Sequence, residues 1–108
     1  MPIVDIEQVK AEIVERLKPL DPDRVILFGS YAYGTPTEDS DIDLFLVNNK
    51  TVDSQYEAKA LMSLRDLIHK HHIGFDVLSA SDEFLKQRED YFYKEDILGR
   101  GKILYAKK

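Results

Sequence analysis

Leu27-Phe28-Gly29-Ser30-Tyr31-Ala32-Tyr33-Gly34, followed by Ser40-Asp41-Ile42-Asp43-Leu44, is the stretch on which both fold and chemistry turn. Val25-Ile26-Leu27-Phe28 is apolar throughout and bounded by Pro22 and Gly29, which predicts a short strand buried on both faces. Residues 29–40 are rich in Gly, Ser, Thr and Pro, so a turn is expected there, with one helical turn at Ser30–Tyr33 and an exposed loop through Pro36. Residues 41–47 read as a second strand. Alternate side chains of a strand share a face, so Asp41 and Asp43 point one way while Ile42 and Leu44 point into the core. Two carboxylates roughly 6–7 Å apart along a strand repel each other unless a cation lies between them. Mg²⁺ is a hard, oxygen-seeking ion that meets that need and also takes phosphate oxygens. Two such ions about 4 Å apart can activate an attacking oxygen and stabilise a leaving one. A glycine directly after a buried strand lets a phosphate approach the backbone, and Ser30 adds a hydroxyl and an N–H where a helix begins. An anion site beside a cation site describes a metal–triphosphate pocket.

Outward from this stretch, Ile6, Val9, Ile13 and Leu17 mark one face of an N-terminal helix. Asp5 is placed to cap it, with Gln8 three residues on, and Pro19 and Pro22 end it. After the Asn48-Asn49 turn, Ser54 and Glu57 suggest a capping box opening a longer helix with core face Ala58, Leu61, Leu64 and Ile68, ended by Gly74. Residues 75–78 form a third strand. Asp76 lies in it out of phase with Phe75 and Val77, and burying a charge there unpaired is costly. It is expected to face the same pocket, as a metal ligand and as general base for an acceptor hydroxyl. Ser81 caps a last helical region over residues 82–98, Gly99 and Gly101 break it, and residues 103–105 make a final strand. The order of elements predicts an α/β (α+β) domain with one small sheet, spanning residues 1–108 as a single unit.

Composition narrows the classes. The hydrophobic fraction of 44% supports a folded globule. The absence of cysteine excludes disulfides and thiolate zinc sites and makes the cytoplasm the expected compartment. No apolar run approaches a membrane span, and the first ten residues lack the pattern of a signal peptide. A net charge of −5 argues against general DNA or RNA binding, yet an acidic chain still binds nucleotides when metal ions bridge carboxylates to phosphates.

Together these motifs resemble the signature of the DNA polymerase beta-like nucleotidyltransferase superfamily, and the whole chain is similar to its minimal nucleotidyltransferase (MNT) proteins. Their usual Gly-Ser-x-Ala-Arg-Gly and Ser-Asp-x-Asp-Leu stand here as Gly29-Ser30-Tyr31-Ala32-Tyr33-Gly34 and Ser40-Asp41-Ile42-Asp43-Leu44. The similarity runs on through Phe75-Asp76-Val77 to Gly101-Lys102-Ile103-Leu104-Tyr105. The resemblance implies a nucleotidyltransferase fold, a small mixed sheet flanked by helices. It implies ATP as substrate, Mg²⁺ as cofactor and a HEPN-domain toxin as partner. MNT antitoxins of that family transfer AMP to a tyrosine of the toxin. Carried onto this chain, Asp41, Asp43 and Asp76 are the catalytic metal ligands, Gly29 and Ser30 contact the triphosphate, and Tyr33, Gly34 and Ser40 complete the nucleotide set, with Tyr31 flanking it. Tyr33 departs from the family's usual Arg, which grips phosphate with a charge that Tyr lacks. Arg24, Arg65 and Lys59 are candidates to supply it.

Each motif also has a plainer reading: Gly29-Ser30 as an ordinary turn, Asp41 and Asp43 as a solvated edge, Asp76 as an ion-pair partner. Their joint spacing favours the pocket. His69, His71 and His72 fall at a helix C-terminus, where the dipole favours them, and read as structural. Tyr91, Phe92 and Tyr93 read as core or interface packing, and Lys107 and Lys108 as a solvated tail. Three functions compete: a protein adenylyltransferase acting on the HEPN toxin, a catalytically weak antitoxin that neutralises its partner by binding alone, and a transferase acting on antibiotics or tRNA ends. The last is disfavoured because such relatives carry further domains to hold the acceptor.

Overall fold

The apolar run before Gly29 is the centre of the molecule. In the computed structural model, which describes residues 4–50 and 54–107, it forms β1 (Arg24–Phe28), with Val25 to Phe28 all buried. β1 runs antiparallel to β2 (Ile42–Val47) on one side and to β4 (Lys102–Ala106) on the other. β2 runs parallel to β3 (Phe75–Ala80), which completes a mixed sheet of order β3-β2-β1-β4.

Strand alternation sends two sets of side chains to opposite faces. Val25, Leu27, Ile42, Leu44, Leu46, Phe75 and Val77 join the larger core, under α1 (Ile6–Leu17), α3 (Tyr56–Ser63) and α4 (Arg65–His71). Ile26, Phe28, Phe45 and Val47 join the smaller core, under Leu85 of α5 (Asp82–Gln87) and Ile97 of a π-helix (Phe92–Gly99). The N-terminal helix buries Val9, Ile13 and Leu17 as its pattern predicts, and Asp5 caps it by accepting from Glu7 N–H at 3.0 Å. The Ser81 cap is present too, its hydroxyl accepting from Phe84 N–H at 3.1 Å.

The expected long middle helix is two. It breaks at Leu64, which is fully buried with its N–H shared between the carbonyls of Ala60 and Leu61. Its core stripe is Tyr56, Ala60, Leu64 and Leu67, whereas Ala58 and Leu61 face solvent. Tyr56 resets the phase: its ring is buried and its hydroxyl donates to Leu20 O at 3.2 Å, which lets a polar-tipped side chain serve as a core anchor. Ser54 and Glu57 form no capping box. The Glu57 carboxylate accepts instead from the N–H and hydroxyl of Ser79, at 2.8 and 3.0 Å. The stop is His72 in the left-handed region at φ 53°, two residues before Gly74.

The last helical region also divides, at Arg88, whose guanidinium lies over the Phe84 and Tyr93 rings while pairing with Asp90 at 2.5 Å. Phe92 and Tyr93 pack edge-on against Phe28 and Phe45, as expected of a core cluster, but Tyr91 is exposed. Lys107 is tied down rather than free, pairing with Asp21 at 3.1 Å and donating its N–H to Asp23 O. Lys108 lies outside the described residues. Among the described residues no helix is long and apolar enough to cross a membrane.

Candidate active site

At the Phe28 end of the sheet, β1 stops at Gly29 and the chain turns into α2 (Ser30–Tyr33). Gly29 has φ +74° and ψ −161°, a conformation that side chains rarely adopt. It is required for a second reason: a Cβ there would run into the Asp43 carboxylate. The carboxylate therefore lies directly on the glycine, at the point where α2 begins.

Register supplies the rest. Asp43 stands opposite Phe28 on one side and opposite Asp76 on the other. The two carboxyls are within hydrogen-bonding influence of each other, and the Asp41 charge reaches the same point. Burial, then Asp76, then Asp41 push the Asp43 carboxyl up to about 6. Asp41 precedes β2 rather than opening it; Ile42 N–H donates to Gly74 O at 3.0 Å. Its carboxylate leans over Gly74, where a Cβ would come within 2.6 Å of Oδ1. Gly74, expected only as a helix stop, thus makes room for Asp41. A concavity of about 210 Å³ adjoins it, lined by Glu38, Asp39, Ser40, His72 and Ile73.

This crowding of like charges is the environment a divalent cation relieves. Asp43 and Asp76 fit as the adjacent pair of oxygen ligands, with Asp41 set slightly apart against Gly74. Among the described residues, no three His, Asp or Glu are drawn into a closed metal shell.

The remaining expected residues are distributed differently. Tyr31 does not flank the pocket: it is buried, and its hydroxyl accepts from Val4 N–H at 3.3 Å. Gly34 is the left-handed cap of α2 at φ +77°, its N–H returning to Ser30 O. The Ser40 hydroxyl accepts from Thr37 N–H at 2.9 Å and so closes the loop before Asp41. Tyr33 is half-buried; burial and the neighbouring Asp96 push its hydroxyl above its ordinary range, and the Arg100 guanidinium lies 3.8 Å from its ring centroid. Arg100 was invisible to motif reading because its neighbours are brought by strand pairing.

Of the cations suggested by sequence, Arg24 sits at the far end of β1, paired with Asp82. Arg65 opens α4 at the end away from Gly74, and Lys59 lies on α3. His71 pairs with Glu12 at 3.0 Å, joining α4 to α1. A larger concavity, about 320 Å³ and lined by Asn48, Lys50, Tyr56, Ser79, Phe84 and Tyr93, is at the opposite end of β2 and β3. That hollow holds no comparable cluster of carboxylates.

Known proteins match this geometry. The family model described as the nucleotidyltransferase domain matches residues 6–104. A Methanocaldococcus jannaschii protein carrying the name "Putative protein adenylyltransferase MJ0604" is 32% identical over 82 residues, covering 76% of this chain and 77% of its own. A toxin–antitoxin crystal structure with AMP-PNP superposes with a TM-score of 0.66 at 22% identity, over 92% of this chain and 74% of that one. A complex of a tri-AMPylated Shewanella oneidensis HEPN toxin with an MNT antitoxin gives 0.57 at 19% identity, over 95% and 74%. At these identities the structures show the shared fold, while the family model spans nearly the whole sheet and Asp41, Asp43 and Asp76. The chain belongs to the nucleotidyltransferase domain family.

Proposed function

We propose that this protein is a Mg²⁺-dependent protein adenylyltransferase that moves AMP from ATP to a tyrosine hydroxyl of a HEPN toxin and so acts as its antitoxin. The observation that carries this reading is the Asp43–Asp76 pair, in register on adjacent strands, with Asp43 seated on Gly29 at the start of α2. The names of the relatives point the same way: one a protein adenylyltransferase, one an MNT antitoxin with its AMPylated HEPN toxin.

In this reading Asp41, Asp43 and Asp76 hold Mg²⁺, which when bound neutralises the triphosphate and lowers the charge developing on it. The turn at Gly29-Ser30 presents N–H groups to the phosphates, as expected where a helix starts. Tyr33 packs beneath, Gly34 caps α2, and Ser40 holds the loop that delivers Asp41. The acceptor oxygen bonds to the α-phosphorus as the bond to the β-phosphate oxygen breaks, and pyrophosphate leaves. Asp76 is exposed on an edge strand, where an incoming hydroxyl meets it and can give up its proton.

The test is transfer of label from α-labelled ATP with Mg²⁺ to a co-expressed HEPN-domain protein. Label with the parent and none with Asp41→Asn/Asp43→Asn is expected. Equal label from both would sink the reading. Tyr33, which brings no charge to α2, favours one second reading: an antitoxin that works by binding alone. Inhibition of the toxin without any label from the parent would select it.

A further inference from the structure

The carboxylates and Gly29-Ser30 account for metal and backbone contacts, but α2 carries no cation for a triphosphate tail. We propose that Arg100 supplies it, as the side chain that grips the β- and γ-phosphates of the nucleotide; this rests on the nucleotidyltransferase reading above. Register places it. Leu27 stands opposite Lys102 at the last pair of the antiparallel β1–β4 ladder, and Arg100, two residues earlier, carries its guanidinium over the Tyr33 ring of α2. That is the end of the sheet where Asp43 lies across from Phe28.

The side chain is prepared for an anion. Its guanidinium stacks 3.8 Å from the Tyr33 ring centroid, which orients the plane while leaving its N–H donors unspent. Arg16, Arg24 and Arg88 are tied to Asp66, Asp82 and Asp90. Among the described residues, no carboxylate lies within ion-pairing distance of Arg100. Its backbone is fixed as well: its N–H donates to Glu95 O at 2.7 Å, closing the π-helix. The next residue, Gly101, is packed so tightly against Ile97 O and Ile26 that a Cβ would not fit. A stacked, fixed and exposed guanidinium at the mouth of a phosphate site binds oxygens in a fork.

The experiment is calorimetric titration of the full chain with ATP, ADP and AMP in Mg²⁺, for the parent, Arg100→Ala and Arg100→Lys, with unfolding midpoints to show that each variant is folded. Arg100→Ala is expected to weaken ATP by about 10- to 100-fold, the scale of charge-assisted hydrogen bonds, and AMP by less than about threefold. Arg100→Lys keeps charge without the planar stack and falls between the parent and Arg100→Ala. A folded Arg100→Ala that binds ATP as the parent does, or loses ATP and AMP equally, overturns the role of Arg100 and leaves the transferase reading standing. A parent that binds no ATP overturns both.

Discussion

At the scale of the residue, Asp43 carries a conflict between stability and chemistry. Its folded carboxyl titrates near 6, above the ordinary value of 3.8, because burial and two neighbouring carboxylates oppose its charge. An acid raised in this way works against folding only when ionised. Its unfavourable contribution is absent below about pH 4, grows between about pH 4 and 6 and is complete above that. In metal-free protein, Asp43→Asn should therefore raise stability at pH 8 by about 1–3 kcal/mol, and the gain should vanish near pH 4. Denaturant unfolding at the two pH values checks this; equal stabilities of parent and variant at pH 8 would remove the conflict. Gly29 and Gly34 both have positive φ, but a side chain at Gly34 meets nothing within 4 Å whereas one at Gly29 meets Asp43. Gly29→Ala should lower the unfolding midpoint and abolish transfer, while Gly34→Asn, suited to the left-handed region, should leave both close to the parent. Loss of transfer in both variants would argue that Gly34 touches the nucleotide. The Asp-x-Asp and Gly-Ser residues were legible in the sequence because their spacing is local. Gly74 and Arg100 were not, since what each meets depends on another strand.

At the scale of the element, strands were read more accurately than helix phases. Short apolar runs have little freedom: both faces of β1 and β2 are covered, so Val25 to Phe28 and Leu44 to Val47 had to be buried. The middle helix had more. Hydrophobicity favoured Ala58 and Leu61, yet the packed stripe starts from Tyr56, whose hydroxyl finds a carbonyl far away in the chain. Glu57 likewise left its local partner for Ser79 on β3. The π-helix has no local signature, since its wide turn answers to Phe28 and Phe45 beneath it. Leu64 joins α3 to α4 with no exposed surface, so Leu64→Ala should cost about 2–5 kcal/mol. Tyr56→Phe keeps the ring and loses only the bond to Leu20 O, about 0.5–1.5 kcal/mol. Chemical unfolding of the two variants separates these terms; a larger loss for Tyr56→Phe would reverse the ranking of packing over hydrogen bonding at this joint.

At the scale of the whole molecule, the net charge of −5 spares little cation for ligands. Lys10, Arg16, Arg24, Lys70, Arg88 and Lys107 are each held by a carboxylate, several of them bridging elements distant in sequence. These surface pairs contribute little each to stability, but they leave the site end dominated by acid groups. Composition foretold an acidic globule and could not foretell which cations were spent. The candidate site is also discontinuous: its carboxylates come from β2, the loop just before it and β3, its glycine turn from the end of β1, and the whole α3–α4 crossover lies between Asp43 and Asp76. A nascent chain therefore displays the Gly-Ser turn and the first two aspartates while it still lacks a third, and the parallel β2–β3 pair that sets them side by side forms only after that crossover has left the ribosome. On the proposed reading, synthesis assembles the three carboxylates in one late step, and an interrupted translation product lacks the third.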